Sequence, residues 1–258
     1  MRVSQDNWPG VADEYKGFAR LKTLVVIPAR FGSTRLPGKV LLRAGGKTML
    51  QWVWEQAVRA QRADRVIVAT DDPRILEACR GFGAECRMTS KRHASGSSRA
   101  AEVARTVRCA NVVNVQADEP EIRPSMIDRL VVLLRDAPMS TLAAPIRTPE
   151  EYRNPNRVKV VLDGDGYALY FSRAPIPHGA GSACPALLHV GLYGYRRDVL
   201  LRMGRWRPHP LERAERLEQL RALARGTRIR VGMIPGPWPG GIDVPADWER
   251  FLARQARR

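Results

Sequence analysis

Four apolar runs rich in β-branched residues alternate with helical stretches up to residue 116, and this alternation constrains the fold more than any other feature of the chain. TLVVIPA (23–29), DRVIVAT (64–70), AECRM (84–88) and NVVNVQ (111–116) read as strands. The first two are apolar in continuous runs, without in-out alternation, as in strands buried on both faces of a parallel sheet. TMLQWVWEQAVRAQ (48–61), PRILEACRGFG (73–83) and SSRAAEVARTV (97–107) space their apolar residues as helices do. Leu50, Val53, Trp54, Ala57 and Val58 form one such stripe. Strand and helix in strict succession predict an α/β fold with a parallel, helix-flanked sheet.

Beyond Pro120 the pattern changes. PSMIDRLVVLLRD (124–136) is helical, STLAAPI (140–146) a strand, and VKVVLD (158–163) with YALYFSR (167–173) a hairpin across a DGDG turn. ALLHVGLYGYRR (186–197) and RIRVGMI (228–234) are strands. PLERAERLEQLRALARG (210–226) reads as one capped amphipathic helix, and PADWERFLARQARR (245–258) closes the chain as another. The whole is therefore a Rossmann-like mixed, mostly parallel sheet with a small antiparallel part. Residues 1–22 are polar and mixed and read as an N-terminal extension; 23–258 read as a single domain. No apolar run approaches the roughly 20 residues of a membrane span, and the N-terminus lacks a secretory h-region. Cys79, Cys86, Cys109 and Cys184 form no CxxC pair, which fits idle thiols in a reducing cytoplasm. A formal net charge of +17 favours anionic partners.

Ligands of such sheets sit beyond the carboxyl ends of the strands, so the loops after residues 29 and 116 are the places to search. The first, RFGSTRLPGK, follows Ala29 and combines Gly32, Ser33, Thr34 and Gly38 with the cations Arg30, Arg35 and Lys39. Backbone N–H groups converging beside three cations suit a polyphosphate; a solvated basic loop is the plain alternative. The loop is neither a Walker A sequence nor GxGxxG. Asp118 and Glu119 end the fourth strand, where a carboxylate can hold Mg²⁺ against a phosphate or simply form an acidic turn. Asp243, in GGIDVPADW, reads either as a helix N-terminal acid or as a second metal carboxylate, with Asp247 an ordinary first-turn acid. Ser95 and Gly96 open a helix whose N-terminus can meet an anion, and Arg99 adds a forked donor. His189 and Tyr193 share a strand face; Glu218 and Gln219 lie in the following helix, and Arg173 ends its strand. No Ser/His/Asp or Cys/His arrangement stands out.

Taken together, VVIPARFGSTRLPGK, RVIVATDD, HASGS-x-R, VNVQADEP, NPNRVKVV, YALYFSRAPIP, HVGLYGYRR, PLERAERLEQLR and GIDVPAD resemble, in this order, the 3-deoxy-manno-octulosonate (Kdo) cytidylyltransferases, the CMP-Kdo synthetases. The resemblance spans about residues 23–250. It implies the sugar-nucleotidyltransferase fold, a homodimer, Mg²⁺, and transfer of CMP from CTP to an acidic sugar with release of pyrophosphate. It makes 23–120 mainly the CTP-binding half and 121–258 mainly the acceptor-binding half. By the same resemblance, Ala29, Arg30, Ser33, Thr34, Arg35, Lys39, Ser95, Gly96 and Arg99 bind CTP, with Arg30, Lys39 and Asp118 catalytic. Asp118 and Asp243 hold Mg²⁺; Gln116, Arg173, His189, Tyr193, Glu218 and Gln219 face the acceptor.

Ala117 stands where the family has Gly before DEP, Ser97 and Ser98 where it has Thr and an acid, and the stretch HGAGSACPALL is short. Relatives that attach CMP to small phosphonates such as phosphonoformate suit a trimmed acceptor segment, so two acceptors are open, with Kdo preferred because Arg173, HVGLYGY and LEQLR persist. The rival class is a non-catalytic nucleotide- or nucleic-acid-binding protein. It rests on net charge, because no basic helix interleaves with aromatics here.

Overall fold

The computed structural model describes residues 21–33, 35–181 and 184–256. In chain order the strands and helices are β1 (Leu21–Ala29), a 3-10 turn (Lys39–Leu41), β2 (Arg43–Ala44), β3 (Lys47–Thr48), α1 (Met49–Val58), β4 (Arg65–Thr70), α2 (Pro73–Gly81), β5 (Cys86–Met88), α3 (Gly96–Thr106) and β6 (Cys109–Asn114). There follow α4 (Pro124–Leu133), β7 (Met139–Pro145), α5 (Pro149–Arg153), β8 (Lys159–Leu162), β9 (Ala168–Ser172), β10 (Leu187–Arg196), α6 (Arg197–Met203), α7 (Pro210–Glu215), α8 (Gln219–Leu223), β11 (Ile229–Met233) and α9 (Pro245–Gln255). Their starts follow local chemistry. Thr48 caps α1 by accepting from Gln51 N, and Asp72 caps α2 ahead of Pro73, whose fixed φ suits a first helical turn.

The main sheet runs β11-β7-β10-β6-β1-β4-β5. β1 pairs in parallel with β4 and β6, and β4 with β5; β10 runs antiparallel between β6 and β7, and β8 and β9 extend from it as an antiparallel pair. The chain leaves β1 toward β4 and β5, then returns to the other side of β1 as β6. Strand order therefore reverses between β1 and β6, which opens a crevice at their carboxyl ends.

Side chains alternate along β1 onto two cores. Val25 and Ile27 pack with Leu50, Val53, Ile75 and Ile127 of α1, α2 and α4. Leu24 and Val26 pack with Ala100, Val103, Leu200 and Leu220 of α3, α6 and α8. Burial on both faces is why β1 reads as a continuous apolar run.

Several elements depart from the sequence reading. β1 begins at Leu21, two residues ahead of the strand read from 23; the N–H groups of Lys22 and Thr23 donate to the Asp64 carboxylate. The helix read over 210–226 is two helices, α7 and α8. Arg216 between them adopts the left-handed conformation (φ 55°), while Glu215 is drawn off to accept from Ser172 Oγ and Arg173 N. α6, directly after β10, has no counterpart in the sequence reading, and neither have α5, the short β2–β3 pair or the 3-10 turn. Among the described residues no helix is long and apolar enough to cross a membrane.

Candidate active site

The basic loop leaves β1 at Arg30 and is closed by its own backbone. Gly38 takes φ 64° and donates its N–H to Phe31 O at 3.2 Å. A side chain at 38 would strain that turn and press on the Phe31 ring, so glycine is required there. The guanidinium of Arg74 covers the same ring at 3.3 Å. A 3-10 turn follows at once and aims Lys39 back at the crevice. There a cavity of about 300 Å³ is lined by Arg30, Ser33, Arg35, Lys39, Gln116 and Asp118, among others. Gly96 closes its far side: a Cβ there would lie 3.3 Å from Pro28 and 3.5 Å from the Gln116 amide. Ala29 is fully buried in the core beside it, and Thr34 lies outside the described residues.

Asp118 and Asp243, distant in sequence, meet over one ammonium. Lys39 Nζ donates to Asp118 Oδ2 at 2.6 Å, Asp243 Oδ1 at 2.8 Å and Ile242 O at 2.8 Å. Arg35 pairs with the other Asp243 oxygen at 3.0 Å. Burial alone pulls the Lys39 pKa down; the attraction of the two carboxylates outweighs it and raises the pKa. Burial pushes Asp243 up, but Lys39 and Arg35 more than offset it and hold the carboxyl below its ordinary range. Asp247, in the first turn of α9, takes up the backbone ahead of that helix. Its Oδ2 accepts from the N–H groups of Asp243 and Val244 and so caps α9, which leaves the Asp243 carboxylate for the crevice.

Glu119 has a different environment from its neighbour. It is buried against Gly241, where a Cβ would stand 3.2 Å from its Oε1, and its Oε2 has no hydrogen-bond partner. Burial, then the nearby charges of Asp118 and Asp243, raise its pKa well above the carboxylate range.

A second cavity, about 660 Å³, meets the first at Arg35 and Asp118 and continues past Asp243 to His189. β10 carries His189 and Tyr193, whose rings lie 5.3 Å apart. A register shift between Val190 and Tyr193 inserts two extra residues opposite β7. An even insertion preserves in-out alternation, so the shared face read from sequence survives. Thr141 Oγ1 fills the irregularity, lying within hydrogen-bond distance of Val190 O, Leu192 O and His189 Nε2. The hydroxyl has one proton and the carbonyls only accept, so the satisfied arrangement has His189 Nε2–H donating to Thr141 and Nδ1 left as an acceptor.

The other candidates stand outside these two cavity walls. Arg99 is fully buried, donating to Asp71 Oδ2 at 3.0 Å and Thr89 Oγ1 at 2.5 Å, so its guanidinium braces the TDD turn from behind. Arg173 spends its guanidinium on Glu215 O and Pro155 O. Ser95 accepts from Ser98 N as the α3 cap and donates to Glu218 Oε1 at 2.8 Å, tying α3 to α8. Gln219 is buried with Nε2 unpartnered. The sequence reading passes over Arg157, which lines the second cavity and holds the segment before Asp243 by hydrogen bonds. Its only local signal is a charge interrupting the polar NPN turn ahead of β8.

His189 has a measurable consequence for stability. Burial pushes its pKa down to about 3, against about 6.5 for the unfolded chain. Between these values the unfolded chain binds a proton that the native state refuses, so acid favours unfolding. The linkage costs about 2 kcal/mol at pH 5. His189→Gln, which keeps a donor for Thr141, is expected to flatten the fall in unfolding free energy between pH 7 and pH 5. Denaturant titrations of both proteins at the two pH values check this; parallel curves contradict it.

A cytidylyltransferase family model matches residues 24–229. The 3-deoxy-manno-octulosonate cytidylyltransferase of Geobacter sulfurreducens is 48% identical over 244 residues, covering 89% of this chain and 97% of that one. The chain belongs to the 3-deoxy-manno-octulosonate cytidylyltransferase family. The member from Pseudomonas fluorescens strain Pf-5 is 49% identical over 242 residues, covering 88% and 95%. A solved CMP:2-keto-3-deoxy-manno-octonic acid synthetase, complexed with CTP, superimposes with a TM-score of 0.87 at 42% identity and covers 92% of this chain and 99% of its own. Membership of this cytidylyltransferase family makes the chain an enzyme, a nucleotidyltransferase, and removes the non-catalytic binder that net charge alone suggested.

Proposed function

We propose that this cytidylyltransferase transfers CMP from CTP to 3-deoxy-manno-octulosonate and releases pyrophosphate. The observation that carries the reading is the Lys39 ammonium held between Asp118 and Asp243 where the two cavities meet. On one side lies the cation-bearing loop, on the other a chamber reaching His189. An oxygen of the acceptor attacks the α-phosphorus in line, its bond forms as the bond to pyrophosphate breaks, and the acceptor's proton is lost to solvent. The protein's share is positioning and charge neutralisation, with no covalent intermediate. In this reading the loop backbone with Arg30, Ser33, Thr34, Arg35 and Lys39 holds the triphosphate, and Ala29, Ser95 and Gly96 frame the nucleotide, with Arg99 bracing the wall. His189 meets the acceptor from the second cavity and Gln116 from the wall of the first; Arg173, Tyr193, Glu218 and Gln219 form the frame behind.

Asp118 and Asp243 would hold a divalent cation. Two hard oxygen donors that already grip one cation fit Mg²⁺, which usually takes one or two carboxylates and fills its shell with phosphate oxygens and water. When bound, such an ion neutralises charge on the phosphoryl oxygens. A homodimer and a cytoplasmic location, where CTP is made, complete the proposal. Light scattering that gives a single chain of 28.9 kDa removes the first of these.

The deciding experiment supplies CTP and Mg²⁺ with either Kdo or phosphonoformate and follows pyrophosphate. Release with Kdo and none with phosphonoformate is expected. The reverse pattern overturns the assignment of the acceptor, and release with neither overturns the reaction.

A further inference from the structure

The segment Pro235–Gly241 joins β11 to Asp243 with three prolines, three glycines and no regular structure. Such a segment has no helix or sheet ladder of its own to hold it, yet it delivers the carboxylate that faces Asp118. We infer that Arg157 is the positioning residue that sets Asp243, pinning this segment from the opposite side of the crevice.

Three observations carry the inference. The guanidinium of Arg157 donates through Nη2 to Trp238 O at 2.5 Å and through Nη1 to Pro239 O at 3.2 Å. Its own place is fixed by Glu151 of α5, whose Oε1 accepts from Nε at 3.0 Å and also from Nη2. Gly240, next in line, has φ 84°, and a Cβ there would lie 2.6 Å from Nη1. Gly241 presses on the far side, where a Cβ would meet Glu119 Oε1 at 3.2 Å and Asp118 O at 3.4 Å. The strand of chain 238–241 is thus clamped between a planar cation and the Asp118–Glu119 ridge. Ile242 N then donates to Asp118 O at 2.8 Å and hands the chain on to Asp243.

Guanidinium geometry matters here. A lysine offers a point charge and cannot span two successive carbonyls and a carboxylate in one plane. The two carbonyls belong to no sheet or helix, so without Arg157 they have to find water, and the segment gains freedom at the position where the Asp243 carboxylate must be held.

The inference rests on the reading of Asp118 and Asp243 as the cation's carboxylates, and its test separates the two. Mn²⁺ binding to the protein with a non-hydrolysable CTP analogue is measured by electron paramagnetic resonance. Arg157→Ala is expected to weaken Mn²⁺ binding about tenfold or more, and Arg157→Lys to recover little of it. Glu151→Gln, which leaves the guanidinium in place but loosens it, shifts affinity the same way by less. Circular dichroism and the thermal midpoint report folding. Folded Arg157→Ala with wild-type Mn²⁺ affinity overturns the inference, provided Asp243→Asn loses the ion. Should Arg157→Ala fail to fold, wild-type affinity in folded Glu151→Gln overturns it equally. Unchanged affinity in Asp118→Asn and Asp243→Asn overturns the underlying reading instead.

Discussion

Asp118→Asn is expected to lower pyrophosphate release by about 10³-fold or more while leaving the fold in place, judged against removal of a single transition-state electrostatic group, which costs about 10²–10³. The amide keeps the size and most of the shape of the side chain and removes its charge. Lys39 retains Asp243 Oδ1 and Ile242 O as partners, so the ammonium is not left bare. The carboxylate is 29% exposed, so water can reach the amide that replaces it, and the fold is expected to survive the loss of this one ion pair. Steady-state turnover with CTP and Kdo, beside a thermal melt, measures both arms. Turnover within threefold of wild type in a folded variant removes Asp118 from the proposed chemistry. A collapse of the melt with turnover per folded molecule intact would assign it a structural role instead.

Most of this architecture is visible in the chain because each part has a local cause. β1 is buried on both faces, so it must read as an unbroken apolar run, and LVVIPA does. α3 begins where Ser95 caps it and β6 stops short of a polar Gln-Ala-Asp-Glu tip, both legible without any tertiary information. What escapes the sequence is set by contacts between distant segments. The break between α7 and α8 depends on Glu215 reaching back to Ser172 and Arg173 on β9. A helix-period pattern continues straight through Arg216 and gives no hint of it. The same holds in the site. Arg35, Lys39 and Asp118 announce themselves by sitting at strand ends, whereas the inward turn of Arg99 follows from Asp71 and Thr89 waiting beneath it. Asp243 reads from the sequence as helix acid or metal carboxylate alike, because nothing local reports that Asp247 takes the N–H groups ahead of α9. Arg157 matters through two carbonyls more than 80 residues away, and spacing along a chain cannot report that.

Lys39→Met separates the two tasks that one side chain performs at the junction of the cavities. The ammonium supplies the positive charge between Asp118 and Asp243, with its side chain only 11% exposed. A divalent cation and this ammonium compete for the same two carboxylates. In the proposed chemistry Lys39 would give up those bonds when the ion binds with CTP, and the triphosphate would be its new anionic partner. Without the ammonium, the carboxylates face each other with Arg35 left to offset them, and the Asp243 pKa rises because the Lys39 hydrogen bond that held it down is gone. A charge-starved pair of hard oxygens binds a divalent ion more readily. Mn²⁺ affinity of the free variant is expected to rise at least several-fold over wild type, while turnover falls by about 10²–10³ for want of a cation on the phosphates. The opposed signs make the measurement decisive. A purely structural lysine would depress both quantities together, and a lysine concerned with the nucleotide alone would leave ion binding to the free protein unchanged.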